Sequence, residues 1–175
     1  MLTQVYSLVN ARRYGLDIQH SGYVLAFIGF IGVLIQGGLI RRILPKTGER
    51  PLVLVGCLVL VVSFFALPLA GSVFMLVVAS SFLSIGNSLT QPPLNGLASL
   101  SAGAEWQGRA LGVTQSLGAL GRFAGPVLAG SLLTLDESGA DSLYGRSPYW
   151  AAAVVMALAF VLSLWIRQPR GARTA

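Results

Sequence analysis

The chain has 175 residues, of which 54% are apolar and only 10% charged, with a formal net charge of +6 and a mean hydropathy of +0.73. A soluble domain carries about a quarter charged residues, so most of this chain's surface lacks the groups that keep a protein dispersed in water. The basic excess does not describe a nucleic-acid surface either, because the arginines and lysines flank apolar runs instead of alternating with aromatics on one face.

In chain order, Met1 to Ala11 is too short and too polar for the apolar core of a secretory signal, and Arg12-Arg13 follow it instead of preceding it. Met1 to Asn10 reads as the outer end of a helix that starts before this chain, which points to a truncated or split protein, and Tyr14 to Asp17 reads as a turn. Five apolar runs follow, at about 21–40, 51–70, 72–100, 108–135 and 148–166. A hydrocarbon core about 30 Å thick needs roughly 20 apolar residues in a helix, and helices satisfy every backbone group locally where water is absent. The expected fold is therefore all-α, a polytopic membrane bundle with five full transmembrane helices filling residues 1–175.

Charge is concentrated in the connections. Arg41, Arg42, Lys46, Glu49 and Arg50 lie between the first two runs, Glu105 and Arg109 between the third and fourth, and Arg167, Arg170 and Arg173 after the fifth. The opposite connections are neutral (Ala70 to Ser72) or acidic (Asp136, Glu137 and Asp141, with Arg146). The positive-inside rule places the basic loops and the C-terminus in the cytoplasm, with Arg12 and Arg13 on the disfavoured side.

Cys57 and His20 are the only residues of their kinds, so neither a disulfide within the chain nor a histidine-cysteine metal site is expected. No nucleophile-base constellation or phosphate loop is visible, and neither an enzyme nor a cofactor is expected.

Two polar stripes interrupt the apolar runs. Ser80, Ser84, Asn87, Gln91 and Asn95 recur at spacings of four, three, four and four, which puts them on one helical face. They read either as the wall of a substrate path or as interhelical hydrogen bonding. Pro92-Pro93 beside them removes two N–H donors, frees the carbonyls of Ser88 and Leu89, and predicts a broken helix. The fourth run carries Gln115 and, near its centre, Arg122. A charge at that depth costs about 2.5–3.5 kcal/mol on insertion scales, so it should face a cavity or a partner. Gly121, Gly125, Pro126 and Gly130 on the same run read as a close helix-packing surface.

The ordered set resembles the C-terminal half of a major facilitator superfamily transporter. The segment Gly38 to Arg50, with Gly38, Arg41, Arg42, Gly48 and Arg50, resembles the family's basic loop between the second and third helices of each half. Gly121 to Gly130 resembles the glycine-proline motif of helix eleven. Gln107 to Ser116 is similar to the entry of that helix in the drug/proton antiporter branch, which includes the tetracycline exporters. The resemblance implies helices eight to twelve; a register of helices two to six is disfavoured because the third run lacks the arginine of helix four. It further implies a secondary active transporter of small molecules, in the inner membrane of a bacterium, with proton-coupled efflux as one form. Asn87, Gln91, Asn95, Gln115 and Arg122 would line the substrate path, and Gly38, Arg41, Arg42, Gly48 and Arg50 would form a cytoplasmic gating loop. Expected partners are the lipid bilayer, a small-molecule substrate, and an N-terminal half or a second chain, with no nucleic acid. The alternative is a non-transporting membrane scaffold or a degenerate transporter fragment.

Overall fold

The computed structural model describes residues 18–137 and 146–166, and these are helical nearly throughout, with no strand among them. Helix α1 spans Ile18–Leu34 and continues through a π-helical turn, Ile35–Ile40, into α2, Arg41–Thr47. α3 is Glu49–Ala66 and tightens into a 3₁₀ turn over Leu67–Leu69. α4 is Val73–Ser101. A second 3₁₀ turn, Ala104–Trp106, leads into α5, Gln107–Glu137, and α6 is Ser147–Ser163.

Local chemistry sets these boundaries. Gly48 has φ 78°, a value that L side chains rarely adopt, so a glycine is the natural break between α2 and α3. Its N–H donates to the Leu44 carbonyl at 2.9 Å, which closes α2. Pro51 falls in the first turn of α3, where its missing N–H costs nothing. The Ser72 hydroxyl caps α4 by accepting from the Met75 N–H at 3.3 Å.

Two expectations are corrected. The connection around Arg41 and Arg42 is not a loop: helix runs unbroken from α1 to Thr47, and only Gly48 leaves it. Pro92 and Pro93 do not break their helix, since α4 is continuous through both, with Pro93 almost fully buried. Among the described residues four helices, over Gly22–Thr47, Glu49–Leu69, Val73–Ser101 and Ala104–Thr134, are long and apolar enough to cross a membrane. The fifth apolar helix, α6, has 17 described residues, about 25 Å of rise, at the short end of the length that crosses a bilayer. The helix end read into Met1 to Asn10, Asp141 in the acidic loop, and Arg167, Arg170 and Arg173 lie outside the described residues.

α3 makes its most extensive interface with α4 and its next with α6, while α4 also contacts α1 and α5. Lipid gives helices little hydrophobic reason to associate, so close backbone approach has to supply the attraction. Gly56 and Gly86 provide it: a Cβ on Gly86 would lie 3.0 Å from both the Gly56 carbonyl and the Leu60 N, and 2.8 Å from Leu60 Cγ. Leu60, Leu67, Leu76, Leu83 and Tyr149 pack at one end of the bundle. Val53, Cys57 and Leu97, with Phe160, pack toward the other. Outward faces are apolar, as in Phe30, Val33, Phe123 and Leu158, each 60% or more exposed, which is what a hydrocarbon solvent selects.

Candidate functional site

Two adjoining clefts collect most of the polar side chains at membrane depth. The larger, about 810 Å³, lies among α1, α3, α4 and α6. Its walls are mainly aliphatic, with Asn87, Gln91 and Thr90 from α4, Cys57 from α3 and Ser163 from α6. The smaller, about 410 Å³, lies between α4 and α5 and is lined by Gln91, Asn95, Thr114, Gln115, Gly118 and Arg122. Gln91 borders both.

The α4 stripe therefore divides by role. Ser84 donates to the Ile28 carbonyl at 2.8 Å and ties α4 to α1. Ser88, one turn further on, accepts from the Gln36 amide at 3.3 Å. Gly32 sits against both hydroxyls: a Cβ there would lie 3.2 Å from Ser84 Oγ and 3.5 Å from Ser88 Oγ. Asn87 and Gln91 are instead exposed to the large cleft, and Asn95 is half-buried in the small one. Hydrogen bonding to a neighbouring helix and lining of a cleft coexist on one helix face, separated by about 100° per residue of rotation.

Gln115 and Arg122 both reach the smaller cleft from α5, two turns apart. Arg122 is exposed, and no carboxylate among the described residues pairs with it. Its guanidinium folds back toward the N-terminus of its own helix, the usual direction for a long side chain, and lies over Gly118, where a Cβ would stand 3.4 Å from Nη1. Glycine at 118 thus leaves the floor on which the guanidinium rests.

The remaining candidates fall elsewhere. Gly38 is exposed in the π-helical turn, Arg41 and Arg42 are exposed on α2, and Gly48 forms the break. Arg50 is half-buried and donates from Nη2 to the Leu164 carbonyl at 3.2 Å, linking the start of α3 to the end of α6. Gly121 and Gly130 face open space, with no atom within 4 Å of where a Cβ would stand, while Gly125 is buried and Pro126 half-buried. Within the described residues, the closest glycine contact is Gly56 with Gly86, a pair that no sequence spacing marks. Thr90 and Ser163, which line the larger cleft with Cys57, are equally unmarked. Ser163 is the one serine in its apolar run and Thr90 one of several hydroxyls on α4, weak signals without the neighbouring helices.

Comparison with known proteins gives this arrangement a family. Residues 1–126 match the sequence profile of the Major Facilitator Superfamily. A protein named as a putative tartrate transporter in Agrobacterium vitis is 31% identical over 134 residues, covering 76% of this chain and 31% of that protein. The major facilitator superfamily domain-containing protein 10 of Mus musculus is 31% identical over 134 residues, covering 77% and 29%. The class D tetracycline resistance protein of Salmonella ordonez is 26% identical over 165 residues, covering 94% and 41%. The chain thus spans about a third of the length of these curated relatives. No solved structure matches. On the profile match and these relatives together, the chain belongs to the Major Facilitator Superfamily.

Proposed function

We propose that the chain forms one helical bundle of a secondary active transporter of small molecules, working against a second bundle supplied by another segment or another chain. The observation that carries this reading is the column Asn87, Gln91 and Asn95 on α4, which opens into two clefts that share Gln91. Side-chain amides are expensive against hydrocarbon, so a column of them presented to open clefts is best accounted for by a polar solute or by water.

Arg122 across the smaller cleft supplies a fixed positive charge, which suits a solute bearing a carboxylate or comparable anionic group. Tartrate, named for one relative, has that chemistry. Tetracycline, named for another, is the probe for the efflux form of the reading, in which exchange is coupled to protons. Transport in this family architecture proceeds by rocking of one bundle against the other around a site near mid-membrane. In this proposal Gly38, Arg41, Arg42, Gly48 and Arg50 hold one gated state at the cytoplasmic surface of a bacterial inner membrane, with the C-terminus on that same side.

The test is binding and counterflow of labelled tartrate and labelled tetracycline in proteoliposomes that hold the chain together with that second bundle, with and without a proton gradient. Saturable binding of either solute that is lost in Arg122→Ala and weakened in Gln91→Ala is the expected result. Absence of both binding and counterflow when the wild-type chain is reconstituted with that second bundle would reject the transporter reading and leave a non-transporting membrane module.

A further inference from the structure

We propose that the exposed face of α2 is a binding site for anionic phospholipid headgroups. The stretch Gly22–Thr47 has 26 residues, about 39 Å of helix against a hydrocarbon core of about 30 Å. Tilt or projection takes up the excess of about six residues, and the charges of Arg41, Arg42 and Lys46 favour projection at this end, over nearly the whole of Arg41–Thr47. That projection occupies the headgroup layer.

α2 is itself divided into two faces. At about 100° per residue, Arg41, Arg42 and Lys46 fall within an arc of about 140°, while Ile40, Ile43 and Leu44 occupy the opposite side. The structure fixes which side faces inward. Ile40 is buried in a cluster with Leu52 of α3 and Leu89 of α4, and Ile43 and Leu44 pack against it. Arg41, Arg42 and Lys46 are all exposed. The basic arc is held outward by apolar contacts on its back, so the three cations keep their spacing at the surface of the bundle.

Charge then selects the occupant. No carboxylate among the described residues pairs with Arg41, Arg42 or Lys46. Glu49, the nearest acid in sequence, turns toward α4, where its Cγ would meet a Cβ on Gly96 at 3.3 Å and its Oε1 at 3.8 Å. Three unneutralised cations at headgroup depth, facing away from the bundle, are complementary to phosphate groups already concentrated in that plane. Juxtamembrane clusters of this kind draw anionic lipid with a contribution of about fivefold in affinity per cation. Arg109, in the first turn of α5, differs: its guanidinium is already stacked over the Trp106 ring at 4.4 Å. It serves as a control for charge outside the face.

The experiment is thermal unfolding of the full chain in a neutral detergent, titrated with phosphatidylglycerol, phosphatidylcholine or inorganic phosphate. A ligand that binds only the folded state raises the melting temperature with concentration. Phosphatidylglycerol is expected to raise it, phosphatidylcholine and inorganic phosphate not. The triple substitution R41Q/R42Q/K46Q, all at exposed positions, should melt like wild type without lipid and require about a hundredfold more phosphatidylglycerol for the same shift. R41K/R42K, which keeps the charges, and R109Q should respond as wild type does. Equal shifts with both lipids, an undiminished response in the triple variant, or an equal loss in R109Q would overturn the proposal. Reproduction of the shift by inorganic phosphate would reject a lipid occupant. If the triple variant alone fails to fold, R42Q/K46Q on adjacent turns decides the matter by the same comparison.

Discussion

Substituting Gly86 by alanine tests the crossing on which the bundle rests. The new Cβ would meet Leu60 Cγ at 2.8 Å and the Gly56 carbonyl and Leu60 N at 3.0 Å each. The leucine side chain can rotate away, but the two backbone atoms cannot, so α3 and α4 must part by some tenths of an ångström along the largest interface in the bundle. Overpacking of this kind costs about 1–3 kcal/mol, against a helix-propensity gain of about 0.5–1 kcal/mol for replacing glycine. The net expectation is a loss of about 1–2 kcal/mol, or about 2–8 °C in melting temperature for a chain of this size. Gly56→Ala should be at least as severe, because its Cβ also collides with the Thr90 hydroxyl, which donates to the Gly86 carbonyl at 2.8 Å. Gly130→Ala meets nothing within 4 Å and should be neutral or stabilising by up to about 1 kcal/mol. Melting curves of the three variants in one detergent provide the comparison. If Gly86→Ala melts at or above Gly130→Ala, the close approach of α3 and α4 is not what holds them.

Other outcomes follow from single contacts. Ser84→Ala removes the hydroxyl that donates to the Ile28 carbonyl and should lower stability by about 0.6 kcal/mol, with about 1.7 as the ceiling for such bonds between membrane helices. Arg50→Ala frees the Leu164 carbonyl and should speed amide exchange at the C-terminal end of α6 more than elsewhere. Gln91→Cys on a Cys57→Ser background should react readily with a water-soluble thiol reagent in membranes. Wild-type Cys57, only 4% exposed, should react slowly. A Gln91→Cys rate as slow as that of Cys57 would mean that water does not reach the clefts at Gln91.

The fold was legible from the sequence because hydrocarbon leaves so few options. Long uncharged runs bounded by Arg41-Arg42, Glu49-Arg50 and Glu105-Arg109 had to be helices, and the observed limits of α4 and α5 lie within two residues of those runs. Proline reads poorly for a related reason. Pro92 and Pro93 remove backbone donors, yet surrounding helices can hold such a segment helical, and the buried Pro93 is packed into one. The stripe on α4 was legible as a face but not as a division of labour, because periodicity cannot tell which neighbour each residue meets. Ser84, on the wall of the larger cleft, gives its hydroxyl to the Ile28 carbonyl, whereas Asn87, three residues on, is exposed to the same cleft. Glycines show the same limit. Gly121 and Gly130 announce themselves by spacing, while Gly56 and Gly86, far apart in sequence and neither with a glycine four residues away, make the contact.

Gly118 offers the sharpest separation of Arg122's charge from its placement. In the structure the guanidinium rests over residue 118, and a methyl there would touch Nη1 at 3.4 Å and Cζ at 3.8 Å, ordinary contact distances. Gly118→Ala should therefore leave Arg122 where it is and keep solute binding. Valine adds two methyl groups beyond that Cβ, into space the guanidinium occupies, and should force the charge off this wall of the cleft while leaving it in the protein. Because Gly118 and Arg122 share one helix and Arg122 is exposed, neither change should disturb packing, and the melting temperature serves as the check. Binding in proteoliposomes should then fall in Gly118→Val toward the level of Arg122→Ala, while Gly118→Ala stays near wild type. A Gly118→Val chain that binds as wild type would show that the position of the guanidinium along α5 is immaterial, and the electrostatic part of the proposed path would have to be abandoned even if the amide column of α4 survived.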